Sequence, residues 1–326
     1  GGFVGVDVFF VISGYLITTI LIEDLEKNRF SIMNFYERRA RRILPALFFI
    51  MLVSVPFAWM WMAPSQMQDY SLSLVAVSLF VSNILFWRES GYFDTAVEEK
   101  PFLHTWSLAV EEQYYLLFPI FLILFWRFGK NRVFWMIVLI AVISLMLSEW
   151  GSRNKVNANF YLAPTRAWEL FAGSITAFII QKHGVQENSK LAFLGLAAIF
   201  LSIFAYDETI PFPSLYAMVP VLGVVLLLVY AGTNTLAAKL LGTKLLVGVG
   251  LISYSAYLWH QPLFAFARIR NGGSQSDWVM LALAFTSILL AFFSWRYIEK
   301  PFRDAHSVDR RQIFYLSAVL VIFTCM

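Results

Sequence analysis

The chain has 326 residues, of which 59% are hydrophobic, 17% aromatic and 14% charged, and its mean hydropathy is +0.67. Because a soluble domain carries about 25% charged residues, this composition excludes an ordinary soluble domain and indicates a surface that faces lipid. The net charge of +4 comes largely from basic residues in short connections, which is typical of membrane topology signals and gives no indication of a nucleic-acid partner.

A series of apolar runs, separated by polar connections, follows from the start of the chain to its end. We expect helices for nearly all of them, because a membrane-spanning segment must satisfy its own backbone hydrogen bonds. The sequence therefore predicts an all-α, polytopic transmembrane helical bundle of about ten or eleven membrane segments. The runs cover residues 4–22, 43–62, 71–87, 106–126, 133–148, 165–180, 191–206, 215–230, 245–266, 278–295 and 313–326.

Basic residues assign the sides of the membrane. The connection at 27–42 carries the strongest cytoplasmic signal, and the acidic pair Asp207-Glu208 is predicted on the outer side. Arg268 and Arg270 form the one basic pair that this topology places outside. The run at 71–87 is predicted to re-enter or to lie at the interface. The basic connections predicted on the cytoplasmic side are 27–42, 127–132, 181–190, 239–244 and 296–311.

Four arginines, Arg38, Arg39, Arg41 and Arg42, stand within five residues. Residues three and four positions apart share a helix face, and guanidinium groups bind phosphate oxygens through paired hydrogen bonds. This pattern predicts a site for the phosphates of a nucleotide-like molecule. The alternative is anchoring of the chain to anionic lipid.

The segment from His104 to Tyr115 leads into an apolar run and carries two adjacent carboxylates, Glu111 and Glu112. Ser107, Glu111 and Tyr115 share a helix face. Carboxylates at a membrane boundary are costly unless they are paired or functional, and a carboxylate near a histidine can form an acid–base pair. The alternative is that this segment only caps a helix.

Another polar segment, 250–262, lies inside an apolar run and contains Ser253, Tyr254, Tyr257 and His260. A histidine within the membrane is a candidate functional residue, although such residues also form hydrogen bonds between helices.

Arg166 and Glu169, spaced i, i+3, are predicted to form an internal ion pair. Asp7 is predicted to pair with an arginine or histidine on another helix, and both pairings are expected to stabilise the fold. The single cysteine, Cys325, excludes an intrachain disulfide and a cysteine metal site, and the sequence has no His-Glu-x-x-His motif. No metal site is therefore predicted.

These segments resemble the acyltransferase 3 family of bacterial membrane O-acyltransferases. The first and third of the matching stretches are the most specific, and all of them occur in the family's order. They are residues 1–18, 35–45, 104–119, 253–262 and 295–303.

The resemblance implies an acyl-CoA donor, with acetyl-CoA expected, and an acceptor hydroxyl on an envelope polysaccharide or lipid-linked sugar such as peptidoglycan or lipopolysaccharide. It implies a bacterial inner-membrane location and arginines at 38, 39, 41 and 42 that face the donor. The supporting catalytic candidates are His104, Glu111, Glu112, Tyr257 and His260. The polar residues expected to have structural roles are Asp7, Arg166, Glu169 and Glu299.

We expect residues 1–311 to form a transmembrane acyltransferase domain and residues 312–326 to begin a linker helix that leads outward, in some members to an SGNH-type domain. The family's catalytic histidine is expected on a helix before Gly1, so the chain is expected to be part of a longer protein and inactive alone. The main alternative is a transporter or flippase in which Asp7, Glu111 and His260 line a polar path. A non-catalytic membrane scaffold is a third possibility.

Overall fold

The computed structural model describes residues 2–90, 97–207, 209–273, 275–304 and 308–325, so that Glu208 lies outside the described residues. Within this part of the chain the secondary structure is helical, apart from one isolated bridge between Glu187 and Ala231, and the predicted all-α class is confirmed. The helices are α1 Val4–Glu26, α2 Ile32–Trp61, α3 Pro64–Ser78, α4 Ser82–Glu89, α5 Thr105–Trp126, α6 Lys130–Asn154, α7 Val156–Tyr161, α8 Ala163–His183, α9 Ser189–Ala205, α10 Met218–Tyr230, α11 Leu236–Leu241, α12 Lys244–Asn271, α13 Asp277–Ser294, α14 Lys300–Arg303 and α15 Arg310–Cys325.

Five helical segments of the described chain are long and apolar enough to cross a bilayer, as expected for a multi-pass membrane protein. Two shorter apolar helical segments, Ser189–Ala205 and Leu215–Tyr230, fall below the length of a full span. The total of about ten or eleven membrane segments stays a prediction. The five long segments are Val4–Glu26, Ile32–Trp61, Thr105–Trp126, Lys130–Asn154 and Asp277–Arg303.

The apolar run at 71–87 is not one continuous helix. It is divided between α3 and α4, and Phe80 between them has a φ of 54°, a left-handed conformation that interrupts a helix. The two helices have 15 and 8 residues, fewer than the roughly 20 that a spanning helix needs. This excludes a single helical crossing by this run, and its re-entrant or interfacial position stays a prediction.

The chain forms two compact units, and the first comprises residues 1–30 and 110–246. In this unit α1 packs closely against α8, because Gly14 and Gly173 leave room for the backbones to meet. A Cβ atom at Gly14 would lie 1.9 Å from the Leu170 carbonyl oxygen, and one at Gly173 would lie 2.0 Å from the Val11 carbonyl oxygen. Small residues allow such close approach between membrane helices.

The second unit comprises residues 31–109 and 247–326, and the division between the units falls within α5 after Ala109. Its first helix, α2, begins at a Ser31 cap whose hydroxyl accepts from the backbone N–H of Asn34 at 3.4 Å. Hydroxyl groups join other helices of this unit: Ser54 to Tyr70 at 2.7 Å, and Ser294 to the Trp259 indole at 2.8 Å.

Candidate functional site

The four arginines predicted to contact the donor lie in the N-terminal part of α2, in the second unit. Arg38 is exposed, and Arg39 and Arg42 are half-buried. The guanidinium carbon of Arg39 lies 6.0 Å from the ring centroid of Phe35. These three side chains remain accessible at one end of a long helix, as a phosphate-binding role requires.

Arg41 differs from the other three arginines because it is buried, with 4% of its surface exposed. Its guanidinium group pairs with Glu37 at 2.9 Å and donates to the carbonyl oxygen of Phe302 at 3.4 Å. Glu37 also pairs with Arg310 at 2.5 Å. Arg41 therefore joins the start of α2 to Phe302 and, through Glu37, to Arg310, and its contacts are those of a structural residue.

The second unit also brings together His104, in the turn before α5, and the α12 residues Tyr257 and His260. The ring centroid of His104 lies 4.7 Å from that of Tyr257 and 5.1 Å from that of His260. The Tyr257 hydroxyl donates to the His104 carbonyl oxygen at 2.5 Å and lies 3.0 Å from the Ser107 hydroxyl. Segments that are about 150 residues apart in sequence therefore form one polar cluster, which we call the histidine cluster.

Both ring nitrogens of His104 are buried, and neither has a hydrogen-bond partner among the described residues. A neutral imidazole offers one donor and one acceptor, and buried polar atoms are nearly always bonded. The ring therefore has the capacity to bind a hydroxyl group or to accept its proton.

The alternative role given to the segment from His104 to Tyr115, that of a helix cap, does not match the hydrogen bonds of its hydroxyl groups. Thr105 donates to the Phe102 carbonyl oxygen at 2.7 Å, and Ser107 donates to the His104 carbonyl oxygen at 3.2 Å. A capping hydroxyl accepts from a backbone N–H group instead.

Glu299 lies at the end of a π-helical turn, Trp295–Glu299, and is fully buried. Its carboxylate accepts from the Ser255 hydroxyl of α12 and pairs with Arg303 at 2.5 Å. These bonds join α12 to the end of the α13 segment within the second unit. They fit the structural role that the sequence analysis gives to Glu299.

In the first unit, Glu111 is buried in α5 with 3% of its surface exposed. One of its carboxylate oxygens accepts from two hydroxyl groups, that of Ser13 at 2.5 Å and that of Tyr115. Tyr115 lies one helical turn beyond Glu111, as the sequence spacing predicts. Glu112, the adjacent carboxylate, is half-buried. The arrangement holds the Glu111 carboxylate in a fixed orientation inside the unit.

Arg166 of α8 is the centre of a buried ionic cluster in the first unit. Its guanidinium lies 3.2 Å from the Asp7 carboxylate and 3.1 Å from that of Glu169, and the predicted pair with Glu169 is present. All three residues have 1% or less of their surface exposed. The rings of Phe10, Phe160 and Phe212 lie within 5.8 Å of the guanidinium carbon and exclude water from it.

With these positions established, the comparison with known proteins identifies the family. Residues 1–301 match the family model for an acyltransferase domain. The chain belongs to the acyltransferase 3 family. The resemblance stated from the sequence motifs is confirmed, and the match covers the first unit completely and the second unit up to residue 301.

Relatives of this acyltransferase 3 chain include the peptidoglycan O-acetyltransferase OatA of Listeria monocytogenes, 31% identical over 93% of this chain and 51% of that protein. The O-acetyltransferase OatA of Staphylococcus aureus is 30% identical over 93% of this chain and 53% of that protein. The putative peptidoglycan O-acetyltransferase YrhL of Bacillus subtilis is 30% identical over 93% and 51%. The chain thus spans about half the length of these curated relatives. No solved structure matches it.

A hydroxyl cluster in the first unit of this family member was not predicted from the sequence. The Ser174 hydroxyl accepts from that of Thr18 at 2.9 Å and lies 2.6 Å from the Tyr114 hydroxyl. The sequence contained a signal for this cluster. Gly14 and Gly173 are the glycines at the close approach of α1 and α8. Thr18 lies one turn after Gly14, and Ser174 directly follows Gly173.

Among the described residues, no group of three or more histidine, cysteine or carboxylate side chains has the arrangement of a metal site. The chemistry available to the candidate residues is hydrogen bonding, proton transfer and phosphate binding by arginine.

Proposed function

We propose that this chain is the membrane domain of an O-acyltransferase that transfers an acetyl group from acetyl-CoA to a hydroxyl group of an envelope glycan. The observation that carries the proposal is the family match over residues 1–301. The relatives named as peptidoglycan O-acetyltransferases favour peptidoglycan as the acceptor. We place the protein in the bacterial inner membrane, surrounded by lipid bilayer, with the arginines of α2 on the cytoplasmic side.

The donor would bind through its phosphates at Arg38, Arg39 and Arg42. Their accessibility at the N-terminal part of α2 supports this role, and guanidinium groups suit phosphate oxygens. Arg41 would contribute indirectly, because its pairing with Glu37 fixes the helix that carries the other three.

The reaction requires an acceptor oxygen to attack the carbonyl carbon of the thioester. The carbon–sulfur bond then breaks, the CoA thiolate leaves, and the proton of the acceptor hydroxyl passes to a base. In our proposal the groups that support this proton transfer are Glu111 and Glu112 in the first unit and His104, Tyr257 and His260 in the second. The ring nitrogens of His104, which have no hydrogen-bond partner among the described residues, support its selection, and the two hydroxyl groups that orient the Glu111 carboxylate support that of Glu111.

The experiment measures CoA release from acetyl-CoA by membrane vesicles that contain the full-length parent protein, with its host's envelope glycan present. We expect thiol release together with new O-acetyl esters on the glycan. The Arg39→Ala and Arg42→Ala variants should each raise the acetyl-CoA concentration for half-maximal rate by about tenfold, since a hydrogen bond to a charged group contributes about 1.5–3 kcal/mol.

The matched control is Arg127→Ala, a basic residue on the same predicted side whose guanidinium carbon lies 4.9 Å from the Phe128 ring centroid. It should leave the acetyl-CoA dependence unchanged. Unchanged dependence in Arg39→Ala and Arg42→Ala as well would remove the donor site from the proposal. Movement of an unmodified solute without CoA release would replace the acyltransferase proposal with the transporter.

A further inference from the structure

A cleft of about 370 Å³ lies in the second unit between α2, α12 and α13. Its volume falls in the range of small-molecule sites, roughly 300–1,000 Å³. None of the residues assigned to the acyl transfer lines it. On α2 the lining includes Ile50, Phe57 and Trp61, and on α12 it includes Leu263, Phe266 and Arg270.

The walls of the cleft are apolar and aromatic. Phe57, Trp61 and Phe266 form a group of three rings with centroids 5.2, 6.0 and 6.1 Å apart. The lining from α13, Val279 and Leu283, is aliphatic. Such a surface suits a hydrocarbon chain and offers few polar groups to a sugar or a nucleotide.

One end of the cleft carries a positive charge. Arg270 is exposed, and its guanidinium carbon lies 5.3 Å from the ring centroid of Trp61. Among the described residues Arg270 has no carboxylate partner. In contrast, Arg268 on the same helix pairs with Glu98 at 3.0 Å and does not line the cleft. Asn271, beside Arg270, adds an amide to this end.

The length of the cleft corresponds to one leaflet of a bilayer. Ile50 and Trp61 are eleven residues apart, which at about 1.5 Å per residue gives about 16 Å, roughly half of a hydrocarbon core about 30 Å thick. Trp61 lies nineteen residues beyond Arg42, or about 28 Å along α2. The charged end of the cleft is therefore at the end of α2 opposite the donor arginines.

From these observations we infer that the cleft binds one anionic phospholipid of the surrounding leaflet. The phosphate would contact Arg270 and Asn271, and one hydrocarbon chain would extend along the rings of Phe57, Trp61 and Phe266. This accounts for the basic pair that the sequence analysis places on the outer side against the usual charge rule. Arg268 supports the local structure through Glu98, and Arg270 contacts the lipid.

The test measures lipid binding to the purified full-length parent protein by native mass spectrometry. The detergent-solubilised protein is titrated with phosphatidylglycerol, which carries a net negative charge, and with phosphatidylcholine, which carries none. Phosphatidylglycerol should bind more tightly. Arg270→Gln should weaken its binding about fivefold, the effect of one basic residue on an anionic lipid. It should weaken phosphatidylcholine binding less, because the choline cation of that lipid offsets the charge of its phosphate.

Arg268→Gln is the matched control, two residues away, and should bind phosphatidylglycerol as the parent does. Ala267→Phe adds a ring to a lining residue of the cleft and should reduce the binding of both lipids. Equal affinity for the two lipids in the parent, or equal binding by the Arg270→Gln and Arg268→Gln variants, would overturn the headgroup contact. Unchanged lipid binding by Ala267→Phe would overturn the position of the chain.

Discussion

The buried polar side chains of the two units have different kinds of partner. In the first unit the buried guanidinium of Arg166 lies between the carboxylates of Asp7 and Glu169, at 3.2 and 3.1 Å. In the second unit the ring nitrogens of His104 are buried without a hydrogen-bond partner among the described residues.

This difference in partners distinguishes polar residues that stabilise the fold from polar residues that are available to a substrate. A buried ion is tolerated only when partners offset its desolvation, so the Arg166 cluster indicates a structural role. A buried polar atom without a partner is rare in native structures and calls for an explanation such as catalysis. Missing hydrogen bonds alone do not distinguish the two regions, because Oδ2 of Asp7 and both carboxylate oxygens of Glu169 also lack a hydrogen-bond partner among the described residues. The difference is that these carboxylates have an ionic partner in Arg166, whereas the His104 ring lies against the rings of Tyr257 and His260.

The largest expected effect is the loss of Arg166. Arg166→Ala would leave Asp7 and Glu169 facing each other without a cation in a buried site, and removal of one partner of a buried ion pair costs about 3–5 kcal/mol. We expect a large fall in the unfolding midpoint, measured by thermal denaturation of the purified protein in detergent.

Arg153→Ala provides the control in the same unit. Arg153 pairs with Glu149 at 2.5 Å, but 75% of its side chain is exposed, and exposed pairs contribute about 0–1 kcal/mol. Its midpoint should therefore stay close to that of the unmodified protein. Equal stability of the Arg166→Ala variant would show that the buried cluster is not structural.

A smaller effect is expected at the close approach of α1 and α8. Gly14→Ala would place a methyl group 1.9 Å from the Leu170 carbonyl oxygen, and the backbones would have to separate. Overpacking of this kind costs about 1–3 kcal/mol. Gly5→Ala, on the same helix, meets no atom within 4 Å and should leave the unfolding midpoint unchanged. If both variants unfold at the same temperature, the two helices are not held by this contact.

The helices could be predicted from apolar runs because lipid-facing segments must be both long and apolar. The positions of the helix ends were predicted less accurately. Helix α2 begins at Ile32, eleven residues before the predicted run at Ile43, because its first turns carry the arginines and hydropathy marks only the apolar part. The break at Phe80 has no glycine or proline to mark it.

The candidate residues could be named from the sequence, but most of their partners could not. Asp7 was expected to pair with an unidentified basic residue, and Arg166 is 159 positions away. The burial of Arg41 depends on Phe302 and, through Glu37, on Arg310, two distant residues that only the tertiary structure brings to α2. Sequence spacing reports contacts within a helix, such as Glu111 with Tyr115, and not contacts between distant helices.

The smallest expected effect on stability, with a large effect on activity, is at His104. His104→Phe keeps a ring against Tyr257 and His260 and removes two buried nitrogens that have no hydrogen-bond partner among the described residues. Replacement of unsatisfied polar atoms by apolar ones of similar shape is nearly neutral or stabilising. The unfolding midpoint should therefore be unchanged or slightly higher.

The same variant, made in the full-length parent protein, should lose about 100-fold of its acetyl transfer, the usual contribution of a positioned acid or base. CoA release and glycan acetylation measure this loss, and His183→Gln, an exposed residue in the last turn of α8, should retain both activity and stability. A stable His104→Phe variant with full activity would remove the histidine cluster from the mechanism. A variant that unfolds would mean that the His104 ring stabilises the second unit, so that the contrast between the two units would no longer hold.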